Sequence, residues 1–460
     1  MSKRLWLLGV GGLVLVGLLV ACGSNYNSSS DGLVLVGSQG AGLIETFSFN
    51  LESGHASAIF NSPNDTANQT CVLNGLPSSI VMDKSGSYAY AIINANSSCT
   101  SSATGIASFK LGSDGSAKAT GNLLSFNPAN ITIQGTTNAE QVPVVPGTMK
   151  TDSAGKFLFV ADRATTDSAG NNVPGAVSVF SIGSGGNLTE VSGSPFFVQA
   201  APVTTVTFAS YDMIDIATTP TVFPTNGISG VQNAVCSDVG NTPPTSEYLY
   251  AVDTLGNQVF QFQVDTSSGA LTSITSVSGT GQYAAVGTDP VPAGVAVDPC
   301  DRFVYVSDSQ TNKVSAYTIC NGLPTQPSSC PTQSQKSVLP AGGLAPVAGS
   351  PFSLTGSANG VGPIVVDPYG KFVYVVGTNS NTISTLTISP ITGSLTAAAS
   401  TTATALKPTS IAIRSDDSWM FVTNYNSASV SQYAITPESG ALTAQQAIDT
   451  DNYPWGVAVK

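Results

Sequence analysis

The chain ends in the middle of a pattern that it completes elsewhere. Pro454-Trp455-Gly456-Val457-Ala458-Val459-Lys460 repeats the opening of a unit whose full form starts at Pro408-Thr409-Ser410-Ile411-Ala412-Ile413. That unit turns at Ser415-Asp416-Asp417, runs through Trp419-Met420-Phe421-Val422 and Ser429–Ile435, and closes on Gly440-Ala441-Leu442-Thr443. Near the other end, Leu33-Val34-Leu35-Val36 and Leu43–Leu51 join the same pattern after its opening. The C-terminal fragment supplies what the N-terminal fragment lacks. A unit divided in this way is expected when a ring of sheets closes by pairing the two chain ends, which hides the edges an open sheet would expose.

The unit reads Pro, two residues, an apolar strand (A), Asp-x-x-Gly-Lys, a strand ending in Asp or Asn (B), a polar loop, a third strand (C), then Gly-x-Leu-Thr on a fourth (D). Copies start at Pro77, Pro146, Pro292, Pro363 and Pro408, and strand B is the most regular part: Phe157-Leu158-Phe159-Val160, Phe303-Val304-Tyr305-Val306 and Phe372-Val373-Tyr374-Val375. A degenerate copy keeps Tyr248–Val252, Gln258–Val264 and Gly269-Ala270-Leu271-Thr272, with its strand A to be sought around Met213–Ala217. Seven such units, rich in β-branched and aromatic residues and punctuated by Gly, Asp and Ser, predict an all-β, seven-bladed β-propeller over residues 31–460. Blades of this kind need roughly 40–45 residues each, so the excess length belongs to loops.

Residues 1–21 read as a lipoprotein signal peptide. Lys3 and Arg4 precede the apolar run Leu5–Val20, and Leu19-Val20-Ala21-Cys22 resembles a lipobox whose cysteine becomes a lipidated N-terminus. Residues 22–30 then form a polar tether, and the expected membrane partner is reached through the lipid on Cys22. Gly23 in place of an Asp retention signal favours the outer over the inner membrane. Loss of the leader takes the net charge from −12 to −14 by removing Lys3 and Arg4, and so acidic a body repels nucleic acid and anionic headgroups. Only 9% of residues are charged, against roughly 25% in ordinary soluble proteins. Ser, Thr, Asn, Gln and Gly must solvate the surface, which suits an exported, monomeric β-protein.

Strings such as Asp367-Pro368-Tyr369-Gly370-Lys371-Phe372-Val373-Tyr374-Val375, Asn381-Thr382-Ile383-Ser384 and Thr392-Gly393-Ser394-Leu395-Thr396 resemble the lactonase-type propellers, among them 6-phosphogluconolactonase and carboxymuconate cyclase. The strings Gly193-Ser194-Pro195-Phe196 and Gly349-Ser350-Pro351-Phe352 resemble that group too. The resemblance implies a site where strand A starts and strand B ends, on the face here called the top, with His, Arg and Glu to polarise a lactone carbonyl and move a proton. None of the five proline-led strand-A starts has His or Arg, and Pro146-Gly147-Thr148-Met149 stands where the family has a Pro-His-x-His-like string. The one histidine, His55, falls in the turn between strands C and D of the split blade.

The residues left to form a top-face site are Asp162, Asp253, Asp308 and Asn424 at strand-B ends, with Arg163, Lys407, Tyr425 and Trp455. The four strand-B ends read first as caps of the following turn; the others read as a polar and aromatic recognition patch. No cofactor, metal or catalytic set is expected. Haem, zinc and nucleophile-elbow signatures are missing, and Asp162–Asn172 lacks calcium-loop spacing. The expected function is therefore a lipid-anchored envelope propeller that binds an envelope protein, a glycan or a small ligand, with a diverged lactone hydrolase as the alternative.

Six cysteines remain after Cys22, an even number suited to an oxidising compartment. The topology puts Cys71 and Cys99 on the top face, and Cys236, Cys300, Cys320 and Cys330 on the bottom, so the expected pairs are Cys71–Cys99, Cys236–Cys300 and Cys320–Cys330. Long insertions near 57–76, 94–105, 121–145 and 164–175 emerge on the top of the first three blades, where the functional surface is expected. Those at 218–246 and 321–342 emerge on the bottom. Replacement Cys22→Ser should release the protein from membranes or stall its processing. Unchanged fractionation and mass would refute the lipid site.

Overall fold

Residues 30–59, 73, 75–98, 103–121, 123–126, 129–132, 139–142, 144–166, 172–197, 212–221, 236, 245–274, 286–321, 330, 340–356 and 358–460 are described by a computed structural model. They build seven antiparallel blade sheets, each ordered A–B–C–D, and two hairpins in the insertions: Ala129–Thr132 with Ala139–Val142, and Thr165–Thr166 with Asn172–Val173. The innermost strands of blades 2 to 7 are Leu76–Met82, Val145–Thr151, Met213–Thr218, Pro292–Val297, Val361–Val366 and Pro408–Ile413. Pro454–Val459 is the innermost strand of blade 1 and lies between those of blades 7 and 2, so strand A touches strand A around the whole circle. It pairs with Asp31–Ser38, placing Val34 opposite Val459 and Val36 opposite Val457. The divided repeat closes the ring.

Strand B explains why the apolar runs are unbroken. Every residue of Phe303–Asp308 is buried. Successive side chains leave a strand on opposite faces, and here each face meets a different blade. Phe303 and Tyr305 join Val373 and Val375 of blade 6, whereas Val304 and Val306 join Tyr248, Tyr250 and Val252 of blade 4. A sheet buried on both faces needs apolar residues at every position, and strand B supplies them.

Blades are also joined through an aromatic residue and a glycine. The turn between strands C and D of blade 7 contains Gly440 at φ 67°, and a Cβ there would lie 2.7 Å from the Phe372 ring of blade 6. The Tyr374 hydroxyl of blade 6 donates to the Gly440 carbonyl at 3.1 Å, and Tyr305 of blade 5 does the same to Gly393 of blade 6. At the closure, Trp419 of blade 7 packs on Gly54 of blade 1 and donates its indole N–H to the Leu51 carbonyl at 3.2 Å. Gln432 adds a bond to the Gly54 carbonyl at 2.8 Å.

The Asp that opens the A–B turn works as the repeat requires. Asp152 accepts from the backbone N–H groups of Lys156 and Phe157, and Asp367 from those of Lys371 and Phe372. Two disulfides, Cys236–Cys300 and Cys320–Cys330, lie on the bottom face as the topology implied. The first spans 64 residues and ties blade 4 to blade 5; a loop of that size corresponds to about 4 kcal/mol in the chain-entropy picture. Such bonds belong to a chain that matures in an oxidising compartment. Cys22, Cys71 and Cys99 lie outside the described residues, as do most of the insertions near 57–76, 218–246 and 321–342 and parts of those near 94–105, 121–145 and 164–175.

The strands differ from the sequence expectation in their bounds and in number. Strand A of blade 6 begins at Val361, two residues before Pro363. Blades 3 to 7 also carry a fifth, two-residue strand on the outer edge of strand C beside strand D, such as Phe196–Phe197 and Phe352–Ser353. Segments of two residues have no periodicity to read, so the pattern missed them.

The B–C turn of blade 7 offers a direct test of this packing. Asn257, Asn312 and Asn381 hold left-handed backbone at that turn in blades 4 to 6, and blade 7 has Ala428 there at φ 47°. Asn tolerates this region better than Ala. The side-chain carbonyls of Asn257 and Asn381 also accept from the backbone N–H of Val291 and Lys407, each just before the next strand A. Replacement Ala428→Asn should relieve the strain and give Tyr453 N–H a partner. We expect a gain of about 1 kcal/mol in urea denaturation, and a loss of stability would count against the turn geometry.

Candidate binding site at the channel mouth

The mouth of the channel is shaped by a β-bulge. In all seven blades the register between strands A and B shifts near the start of strand A. The extra residues include Ser78-Ser79 in blade 2, Gly147-Thr148 in blade 3, Thr409 in blade 7 and Trp455 in blade 1. Bulges re-aim side chains and recur beside functional sites. Here the small polar ones are used between blades. Ser79 Oγ accepts from Met149 N–H at 3.1 Å, and Thr148 Oγ1 donates to Asp215 at 3.0 Å. Asp215 also accepts from Val295 N–H at 3.0 Å, and Thr409 donates to the Trp455 carbonyl at 3.1 Å. His55 is exposed in its C–D turn, on the opposite face.

The four strand-B ends are buried, and three of them do not cap the following turn. Only Asp253 does, accepting from Leu255 and Gly256 N–H at 3.1 and 3.0 Å and from the Gln258 amide at 2.9 Å. Asp162 accepts from Ser178 Oγ at 2.7 Å, Asp308 from Ser315 Oγ at 2.7 Å, and Asn424 donates to Ser431 Oγ at 3.0 Å. Each serine is the third residue of strand C. Blade 1 reverses the pair, with Ser38 on strand B donating to Glu45 on strand C. The turn-cap reading is therefore corrected for Asp162, Asp308 and Asn424: these groups latch strand B to strand C. Burial raises the pKa of Asp162 well above the usual carboxylate range and pushes Asp308 up to about 7. One oxygen of each accepts no hydrogen bond.

Arg163 is half exposed and held by Asp212, a residue that the sequence reading missed. Its Nε and one terminal nitrogen reach the two carboxylate oxygens at 3.1 and 2.6 Å. Asp212 also accepts from Ala164 N–H, and its own N–H donates to Asp253 at 2.9 Å. The cation is thus tied into a bridge between blades 3 and 4. Asp212 follows a long insertion, so spacing alone gives no signal for it.

Tyr425 and Trp455 do come together, and Tyr453 joins them. Tyr425 lies 4.8 Å from Tyr453 and 5.5 Å from Trp455 between ring centroids, nearly perpendicular to the latter. Lys407 is exposed close by, its carbonyl accepting from Tyr425 N–H. Tyr453 precedes Pro454 as Lys407 precedes Pro408, so the repeat register is the signal that could have found it.

Residues 240–336 and 344–458 match the family described as Lactonase, 7-bladed beta-propeller. The match is to a lactonase-type propeller. It runs from strand B of blade 4 to the closing strand and covers less than half of the chain. No curated protein matches the chain. Among solved structures, a 6-phosphogluconolactonase candidate from Bacteroides uniformis is similar at 17% identity and TM-score 0.60, over 94% of this chain and all of the other. A periplasmic gluconolactonase from Pseudomonas aeruginosa is similar at 16% identity and TM-score 0.59, over 94% of this chain and 99% of the other. At such identities the likeness is one of fold.

The latch at Asp308 yields a pH test. Its folded pKa of about 7 exceeds the unfolded value of about 4, so the folded chain holds an extra proton across that window. Its contribution to stability is full below the unfolded pKa and is lost as pH rises toward 7. Asp308→Asn copies the amide that blade 7 carries at Asn424. It should flatten the fall in melting temperature between those pH values, and an unchanged slope would refute a raised pKa.

Proposed function

We propose that this lactonase-type propeller is an exported, lipid-anchored envelope protein whose top face recognises a partner, glycan or small ligand without catalysing a reaction. One observation carries the reading. Among the described residues the large hydrophobic side chains left exposed are Val145, Leu255, Val291, Leu406, Tyr453, Trp455 and Ile391. All but Ile391 belong to the top face. Apolar surface gathered on one face marks an interaction site. The strand-A starts meanwhile offer no His or Arg, and the one top-face arginine is paired with Asp212.

The second reading is a lactone hydrolase with a replaced catalytic set. The family match favours it, as do the buried acids Asp162 and Asp308, each with a free oxygen at the top end of strand B. A base alone does not make a lactonase, because the carbonyl oxygen also needs a donor or cation to stabilise its developing charge.

The experiment compares the wild-type full chain with Leu255→Ser, Leu406→Ser in capture from its own envelope, alongside hydrolysis of glucono-δ-lactone and 6-phosphogluconolactone. Capture that falls in the double variant, with lactone hydrolysis at the uncatalysed rate, is the expected result. Lactone turnover abolished by Asp162→Asn or Asp308→Asn would overturn it in favour of the hydrolase.

A further inference from the structure

We propose that Tyr425, Tyr453 and Trp455, at the seam between blades 7 and 1, form a stacking platform for a neutral sugar ring. The inference rests on reading the top face as a recognition surface and gives that surface a ligand class.

The rings are in place before any ligand arrives. Tyr425 packs on both partners, at 4.8 and 5.5 Å between centroids. The Trp455 carbonyl accepts from Thr409 and Thr423 at 3.1 and 3.0 Å, and the Tyr453 carbonyl accepts from Gln39 N–H at 3.0 Å. Tyr453 and Trp455 nevertheless remain 47% and 40% exposed. Wide aromatic faces fixed by their neighbours lose little entropy on binding, and they suit the C–H face of a pyranose, which is flat and apolar. Asn426 and Asn452 are exposed and adjacent in sequence to two of the rings, offering amides to the hydroxyl edge of a sugar.

Charge narrows the class. Asp449 and Asp451 are exposed close by in the chain, and the Glu45 carboxylate accepts from Asp451 N–H. These three acids outnumber Lys407, the cation beside Tyr425, in a chain of net charge −12, so uronic, sialic and phosphorylated sugars meet net repulsion. An acidic aromatic site could instead attract a quaternary ammonium group. Such a cation is caged by rings that stand apart, whereas Tyr425 and Tyr453 are in contact and leave no slot between them.

The full chain has three tryptophans. Trp6 lies in the leader and Trp419 is 5% exposed, so Trp455 is placed to report binding on this face. The solubilised full chain would be titrated with maltohexaose, cellohexaose, N-acetylated chitohexaose and, separately, tetramethylammonium, following tryptophan fluorescence and calorimetric heat. We expect saturable binding of at least one oligosaccharide, weakened roughly tenfold or more in Tyr453→Ala and Trp455→Ala. Ile391→Ser, on the opposite face, should leave it unchanged. Calorimetry with Trp455→Phe, which keeps a ring at the seam, guards against a folding defect and should retain part of the affinity. Binding of none of the three oligosaccharides, binding indifferent to Tyr453 and Trp455, or binding of tetramethylammonium alone would each overturn the proposal. If envelope capture still depends on Leu255 and Leu406 in that case, the recognition reading survives and only the sugar assignment falls.

Discussion

The ring depends on one contact repeated between neighbours: an aromatic residue at the start of strand B laid against a glycine turn of the next blade. At Phe372 and Gly440 both requirements of that turn are visible. The backbone is left-handed, and the ring leaves no volume for a Cβ. Tyr374 then fixes the same turn through its carbonyl. Five such contacts link blades 2 to 7, whose chain of sheets could still splay apart, but a sixth joins Trp419 to Gly54 across nearly the whole sequence. Closing the circle converts local packing into a global constraint, because no blade can move outward without opening a seam on each side.

This constraint made the fold legible. Side chains of strand B serve two interfaces at once, so Phe303-Val304-Tyr305-Val306 is apolar throughout, and the same demand recurs in each blade. The glycine turn and the turn-capping Asp recur for equally local reasons. A divided unit at the chain ends then leaves a closed ring as the simplest completion, and the pairing of Asp31–Ser38 with Pro454–Val459 realises it.

The candidate site was less legible because its chemistry is decided between strands. An Asp closing strand B could serve either the next turn or a neighbouring strand, and the choice depends on what strand C presents two residues in. Where that residue is Ser178, Ser315 or Ser431, the polar group turns sideways; where it is Phe260, Asp253 caps the turn instead. The serines stood in the sequence at matching positions and could have given the answer. Blade 1 obeys the same rule with its partners exchanged, Ser38 against Glu45. Arg163 is a different case, since its partner Asp212 is 49 residues away and only the approach of blade 4 to blade 3 brings them together.

The seam between blades 7 and 1 joins the two themes. Closing the ring requires Pro454–Val459 to enter as the innermost strand of a blade whose other strands come from the opposite end of the chain. The bulge that shifts its register falls at Trp455, which stays out of the inter-blade core while Thr409 and Thr423 hold its carbonyl. Tyr453 sits at the left-handed position before the strand, where its ring meets Tyr425. Elsewhere on the rim the corresponding bulge positions hold no aromatic residue: they are Ser78-Ser79, Gly147-Thr148, Ile214, Ala293, Gly362-Pro363 and Thr409. Trp455 is the one ring among them, and it stays 40% exposed. The closure that stabilises the propeller thus also fixes a set of exposed rings at the mouth, in a geometry maintained by the fold rather than by a ligand.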